Sequence, residues 1–258
     1  MRAVAWGLCV MMVITVGMGV AQATILPIKD TTTAGDSSTV RDGSLDWSST
    51  DASAANNNNG VSTDDRQYSD GVAGTKRHSM YWFDLSSLKP AWTINSATFG
   101  VYMTGTGALA GLKLSRFNAG KDWIEGTKDY ATATTDEPCW NYRKYNGTAW
   151  ATAGATGVTD IDQGATQQTF AGAVGYNIRD VKTWVQDWVN NGVPNNGMLL
   201  WGGTGTATSC YKVVYFSEDS LASNRRPYLT VDYTVPEPVT VLLLAVGLVP
   251  MLRRRRPV

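Results

Sequence analysis

Apolar and polar residues alternate over much of the chain. From Ile94 to Met103 the side chains of Phe99, Val101 and Met103 share one face, with Thr98, Gly100 and Tyr102 on the other. Leu112 and Leu114 alternate with Lys113 and Ser115, and between Tyr228 and Tyr233 the residues Leu229, Val231 and Tyr233 fall together. Met80 to Phe83, Met198 to Trp201 and Val213 to Phe216 are short apolar runs suited to buried strands. A period of two, rich in branched and aromatic residues and broken by Gly/Asn/Thr/Ser loops, predicts an all-β antiparallel sandwich. Asn56 to Gly60 and the Ala/Thr/Gly-rich stretch from Ala151 to Thr159 have turn and loop compositions.

One segment departs from this period. In Asn177 to Pro194 the residues Ile178, Val181, Trp184, Val185 and Trp188 recur at helical spacing. Asn177 or Asp180 supplies a start, and Asn191-Gly192 followed by Pro194 supplies a stop. The spacing predicts one short helix on the sandwich with Trp184 or Trp188 facing in.

The two ends have their own patterns. Residues 1–23 begin with one positive charge at Arg2, continue as an uncharged apolar run, and finish in Ala21-Gln22-Ala23. That order predicts a secretory signal peptide cleaved after Ala23. Residues 235–258 hold Pro236, Glu237 and Pro238, then 14 apolar-rich residues from Val239 to Leu252, then Arg253, Arg254, Arg255 and Arg256. Fourteen residues fall short of the roughly 20 a helix needs to cross a bilayer, and the arginines favour the cytoplasmic side. The order of Pro-Glu-Pro, short apolar segment and arginine cluster resembles the PEP-CTERM sorting signal. The resemblance implies a transient transmembrane hold, an exosortase partner at the inner membrane, and delivery to the cell surface or extracellular matrix. The expected organisation is a signal peptide at 1–23, a body at 24–234 and a sorting tail at 235–258.

The expected body carries 17 basic and 21 acidic side chains and is mildly acidic. With no basic cluster there, nucleic acid is not an expected partner. One histidine in the chain excludes a multi-histidine metal centre. Carboxylates pair at Asp64/Asp65, Asp122/Glu125, Asp136/Glu137 and Glu218/Asp219, but a glycosidase needs two acids facing each other across a cleft. Sequence neighbours seldom meet that geometry, and these are read as solvated loop acids, so no catalytic residue is assigned. His78, beside Arg77, is read as a surface or strand-edge residue. No cofactor is required. Calcium is a candidate structural ion, with Asp30, Asp36, Asp160 and Asp162 as candidate ligands. Once Cys9 leaves with the signal peptide, Cys139 and Cys210 remain; a disulfide between them and two buried thiols are both open.

Nine tryptophans fall in the body. Trp140, Tyr142, Tyr145 and Trp150 sit in a polar, Gly/Asn-rich stretch, and Trp47 in another; such rings either stack on sugars or plug the sandwich ends. The first four are the candidate ligand-binding residues.

Six pieces follow in order along the body: FDLSSLKPAWTINSATFGVYM, DWIEGT, CWNYRKYNGTAW, DVKTWVQDWVNNG, NNGMLLW and FSEDSLASNRRPYLTVDY. Their order, with TILPIKDTT at the start, resembles DNRLRE-domain proteins, related to carbohydrate-binding module family 96. One departure is the long segment between Val40 and Ser79, which holds the asparagine run. The resemblance implies a jelly-roll-like sandwich on a surface protein, often accessory to polysaccharide-active enzymes, in which Trp123 packs and Asp122 and Glu125 hold a loop rather than lie free in solvent. The expected function is non-catalytic binding of polysaccharide or packing within an exopolysaccharide matrix. The rivals are a polysaccharide hydrolase or lyase and a structural matrix protein without a specific ligand.

Overall fold

Strand-forming sequence dominates the computed structural model, which describes residues 23–29, 39–68, 74–104, 110–164, 166–170, 173–204, 211–215 and 223–236. In chain order these form β1 (Ala23–Lys29), β2 (Val40–Ser48), β3 (Asn57–Asn58), β4 (Asp64–Tyr68), β5 (Thr75–Phe83), β6 (Thr93–Thr104), β7 (Ala110–Arg116) and β8 (Ala131–Thr132). There follow β9 (Tyr142–Lys144), β10 (Thr148–Ala149), β11 (Gln168–Phe170), β12 (Gly175–Asp180), α1 (Lys182–Asn190), β13 (Met198–Thr204), β14 (Tyr211–Tyr215) and β15 (Tyr228–Thr234).

Two antiparallel sheets carry the fold. The first runs β1-β15-β6-β14-β4, and β12 also pairs with β6. Thr98 to Gly100 pair with both β15 and β12, so those two strands flank opposite edges of β6. The second sheet runs β11-β7-β13-β5-β2. Two short ladders, β9 with β10 and β3 with β8, lie outside them. The chain is an all-β, antiparallel, sandwich-like fold with one α-helix among the described residues.

Alternation along each strand assigns its faces. Ala97, Phe99, Val101 and Met103 of β6 join Leu229 and Val231 of β15 in one buried cluster. Tyr81 and Phe83 of β5, Leu112 and Leu114 of β7, and Met198 and Leu200 of β13 meet them there from the second sheet. Each fully buried Val, Leu, Phe or Met side chain among them contributes about 1.5–3 kcal/mol from area alone. α1 adds Trp184, Val185 and Val189 to the same core.

The intervening residues of the second sheet face the other way, into a second core. Leu45, Met80 and Leu199 pack there with Phe117, Trp123, Trp140, Trp150, Ala155 and Ile161. Residues 117–161 therefore form a largely irregular layer over the outer face of that sheet. Side chains replace regular ladders as its fastening. Trp123 Nε1 donates to Asn196 O (2.9 Å), and Trp150 Nε1 donates to Cys139 O (2.9 Å). Asn58, in the asparagine run, is buried and donates from Nδ2 to the carbonyls of Glu125 and Pro138. Its Oδ1 accepts the N–H groups of Gly60 and Lys128.

The helix is shorter than its apolar spacing predicts. Asn177 to Asp180 belong to β12, where Ile178 is exposed. Pairing with β6 satisfies those backbone groups, and that outweighs the helical pattern. Asp180 Oδ1 still accepts the Lys182 N–H (2.8 Å), and Gly192 stands just past the helix end at φ 70°. Trp184 faces in, as expected.

Candidate functional site

The end of β2 and the start of β5 bring unlike side chains together. Trp47 pairs in register with Lys76, and Asp46 with Arg77. Because neighbours on a strand alternate in direction, the indole and the guanidinium leave β2 and β5 on different faces. The segments 51–57 and 130 meet both at the rim. Asp46, Trp47, Asp51, Asn57, Arg77 and Tyr130 line a cleft of about 290 Å³ there.

Its walls are fixed by contacts within the protein. The Arg77 guanidinium lies 4.9 Å from the Tyr130 ring centroid, hydrogen-bonds its hydroxyl, and pairs with Asp46 (Nε to Oδ2, 3.5 Å). The Lys76 ammonium lies 5.7 Å from the Trp47 centroid. Asn57 Nδ2 donates to Tyr130 O (3.3 Å), and the Tyr130 N–H donates to Asn59 Oδ1 (2.7 Å). These bonds hold Tyr130 at φ 49°, a left-handed conformation unusual for an aromatic residue, with 42% of its surface exposed. Asp51 accepts the Ser53 hydroxyl (2.6 Å) and N–H (2.9 Å), and the Ser53 bonds hold its carboxyl below the usual range. A concavity lined by the exposed Tyr130, by Trp47, by an ionised carboxylate and by an amide suits a ligand with an apolar C–H face and a rim of hydroxyls. Trp47 was named by the sequence for its composition. Tyr130 was not, because its position depends on contacts with the asparagine run some 70 residues earlier.

The four aromatic residues expected to bind ligand divide into two pairs. Trp140 and Trp150 are 6% and 4% exposed and are taken by the second core, which corrects the expectation for both rings. Trp140 packs on His78 (4.9 Å), and Trp150 stacks on Phe117 (5.6 Å, 15°). Tyr142 and Tyr145 stay half-buried near the β9–β10 hairpin, ring edge to face at 5.7 Å. The hairpin does not place them in the Trp47 cleft.

Of the candidate calcium ligands, Asp30 and Asp36 lie outside the described residues. Asp160 is buried and spends its oxygens on Lys121 Nζ and the N–H groups of Ala151 and Thr152. Asp162 accepts from Gly164 N–H and the Thr166 hydroxyl and faces Arg116. Both carboxylates therefore fasten the irregular layer, and the described residues contain no grouping of three or more His, Cys, Asp or Glu fit to hold a metal.

Glu137 is not the solvated group the sequence suggested, and Glu125 holds a loop. Glu125 and Glu137 are buried: Glu125 Oε1 accepts the Asp42 N–H (3.2 Å), and Glu137 accepts the N–H groups of Thr127 and Thr134. Burial raises the Glu137 pKa, but the bonds from Thr134 and Thr127 outweigh it and hold the carboxyl low. Asp122 stays exposed and pairs with Arg143 and Lys144. Glu218 and Asp219 lie outside the described residues. His78 is 8% exposed at mid-strand, with Nδ1 2.8 Å from Gly154 O, and so is no surface residue. Cys139 is a buried free thiol whose pKa burial raises. Its candidate partner Cys210, like the apolar and arginine segments of both ends, lies outside the described residues. No described helix is long and apolar enough to cross a membrane.

Comparison with protein-family models and with curated proteins returns no match.

Proposed function

We propose that this protein is an exported, non-catalytic β-sandwich that binds polysaccharide at the Trp47–Tyr130 cleft. The observation that carries the reading is that Trp47, Tyr130, Asp51, Asn57 and the paired Arg77 all line one concavity. A pyranose ring stacks its C–H face on an aromatic ring and offers hydroxyls to such groups. The ordered DNRLRE-like motifs support the same class of ligand. The Pro-Glu-Pro, apolar and arginine segments support delivery through an exosortase to the cell surface or matrix, with polysaccharide as the partner there.

The test is a glycan array of neutral and acidic polysaccharides, run on the full chain in mild detergent with and without calcium. Saturable binding that weakens about tenfold in Tyr130→Ala, equivalent to about 1.4 kcal/mol, is the expected result. A blank array in both conditions sinks the reading and leaves a structural matrix role without ligand. Chain-length loss of any polysaccharide on incubation overturns the non-catalytic assignment.

A further inference from the structure

The other end of β5 opens into a second aromatic cleft, of about 310 Å³. Trp82, near the end of β5, Trp188, on α1, and Pro90 line it, and Asp84, Ser86 and Asn195 supply the polar lining. These groups are already oriented. Trp82 Nε1 donates to Asn195 O (3.0 Å), and the Arg41 guanidinium lies 4.1 Å from the Trp82 ring centroid. Asn195 Nδ2 donates to Phe83 O (2.8 Å). Asp84 Oδ1 and Oδ2 accept the N–H and hydroxyl of Ser86 at 2.9 and 2.8 Å. Each carboxylate oxygen has a further acceptor site. Asn190 Nδ2 holds the loop that carries Pro90, donating to Pro90 O and Trp92 O at 2.8 Å each.

The chemistry repeats that of the first cleft: two aromatic rings, a carboxylate and an amide. Only the strand between Arg77 and Trp82 separates the two, about 17 Å at the rise of an extended chain. That is too far for one sugar ring to fill both, and both ends stay open at once.

We propose that the Trp82–Trp188 cleft is a second pyranose-binding site, so that one molecule holds two polysaccharide segments and cross-links the matrix. The proposal rests on the polysaccharide reading of the first cleft. Two linked sites also raise the avidity for a long polymer by about 10²–10⁴-fold over a single site.

The experiment is calorimetric titration of the full chain in mild detergent with cellotriose, xylotriose, mannotriose, laminaritriose and an alginate trisaccharide, each too short to fill both clefts. Light scattering on mixing with the parent polymers runs alongside. The expected result is two molecules of a binding trisaccharide per chain and a rise in scattering with the polymers. Trp82→Ala should leave one molecule bound, at the affinity of the first site, and abolish the scattering. Asp84→Asn keeps one oxygen for the Ser86 N–H, turns the other into an NH2 donor to the Ser86 hydroxyl oxygen, and serves if Trp82→Ala fails to fold; it should weaken the second site at least fivefold. One molecule per chain in the unsubstituted protein, lost on Tyr130→Ala, overturns the second site and leaves the first standing. Failure of every probe to bind removes the polysaccharide reading itself.

Discussion

Asp160 is fully buried with Oδ1 2.8 Å from Lys121 Nζ, a pairing that closes 39 residues of irregular chain. The same carboxylate caps the N–H groups of Ala151 and Thr152, at 3.0 and 2.9 Å. Removing it in Asp160→Ala strands two backbone donors and leaves Lys121 without its partner. The expected cost is about 3 kcal/mol, read as a lower urea midpoint at unchanged slope. A change under 1 kcal/mol would show that water replaces the carboxylate there.

Acid should act through the same group. Burial pushes the Asp160 pKa up, but the Lys121 bond and the two backbone N–H groups outweigh it and hold it low. Asp162, through the Gly164 N–H, and Asp187, through Asn191, are also held below the usual range. A carboxylate whose folded pKa is depressed contributes its stability above the unfolded value of about 3.9 and loses it as pH falls through the folded value. Urea midpoints should therefore change little through these groups from pH 7 to 5 and fall below pH 4. A midpoint unchanged down to pH 2.5 would contradict this account.

Alkali tests the first sheet. Tyr102, Tyr176 and Tyr228 meet edge to face, with both neighbouring centroids 5.3 Å from Tyr176. Burial first, then Tyr228 and Tyr102, push the Tyr176 pKa up to about 12, and its hydroxyl donates to Asn224 O and Arg226 O. The raised folded value means this contribution is complete below the unfolded pKa of about 10 and is lost as pH rises toward 12. Burial also raises the Tyr228 pKa, so ultraviolet titration should show late-titrating tyrosines, the latest of which disappears in Tyr176→Phe. If Tyr176→Phe leaves the titration curve unaltered, the assignment is wrong.

Trp150→Ala should cost about 3–5 kcal/mol, because its ring fills the second core against Phe117 and its N–H binds Cys139 O. Tyr145→Ala, on a half-buried hairpin, should cost under about 1 kcal/mol. Equal losses in chemical denaturation would mean the hairpin is as much a part of the core as Trp150.

Gly60 connects stability to the candidate cleft. A Cβ there would stand 2.1 Å from the Glu125 carbonyl oxygen, which is backbone and cannot swing away. Gly60→Ala should displace the asparagine run, which anchors Tyr130 through Asn57 and Asn59, and so lower both the melting temperature and glycan binding. Loss of stability with full binding would separate the asparagine run from the cleft.

Much of the sandwich was legible before the structure. The alternation of Phe99, Val101 and Met103, and of Leu229, Val231 and Tyr233, identifies strands and their inward faces, and the helical spacing finds Trp184. Ile178 fits a helical stripe, but ladder pairing with Gly100 of β6 takes it as strand. The candidate site was less legible. The loop around Trp140 and Trp150 has a surface composition, yet it folds over Leu45, Met80 and Leu199 and supplies their apolar cover.

What the sequence by itself determined is local: the period of two, the single helical stripe, and the patterns at the two ends. These follow from neighbours a few residues apart. Which rings face ligand and which face core was decided only in three dimensions. Trp140 meets His78 across 62 positions, and Asn58 reaches Pro138 across 80. No local pattern encodes such contacts, because burial depends on which distant segment closes over a sheet face.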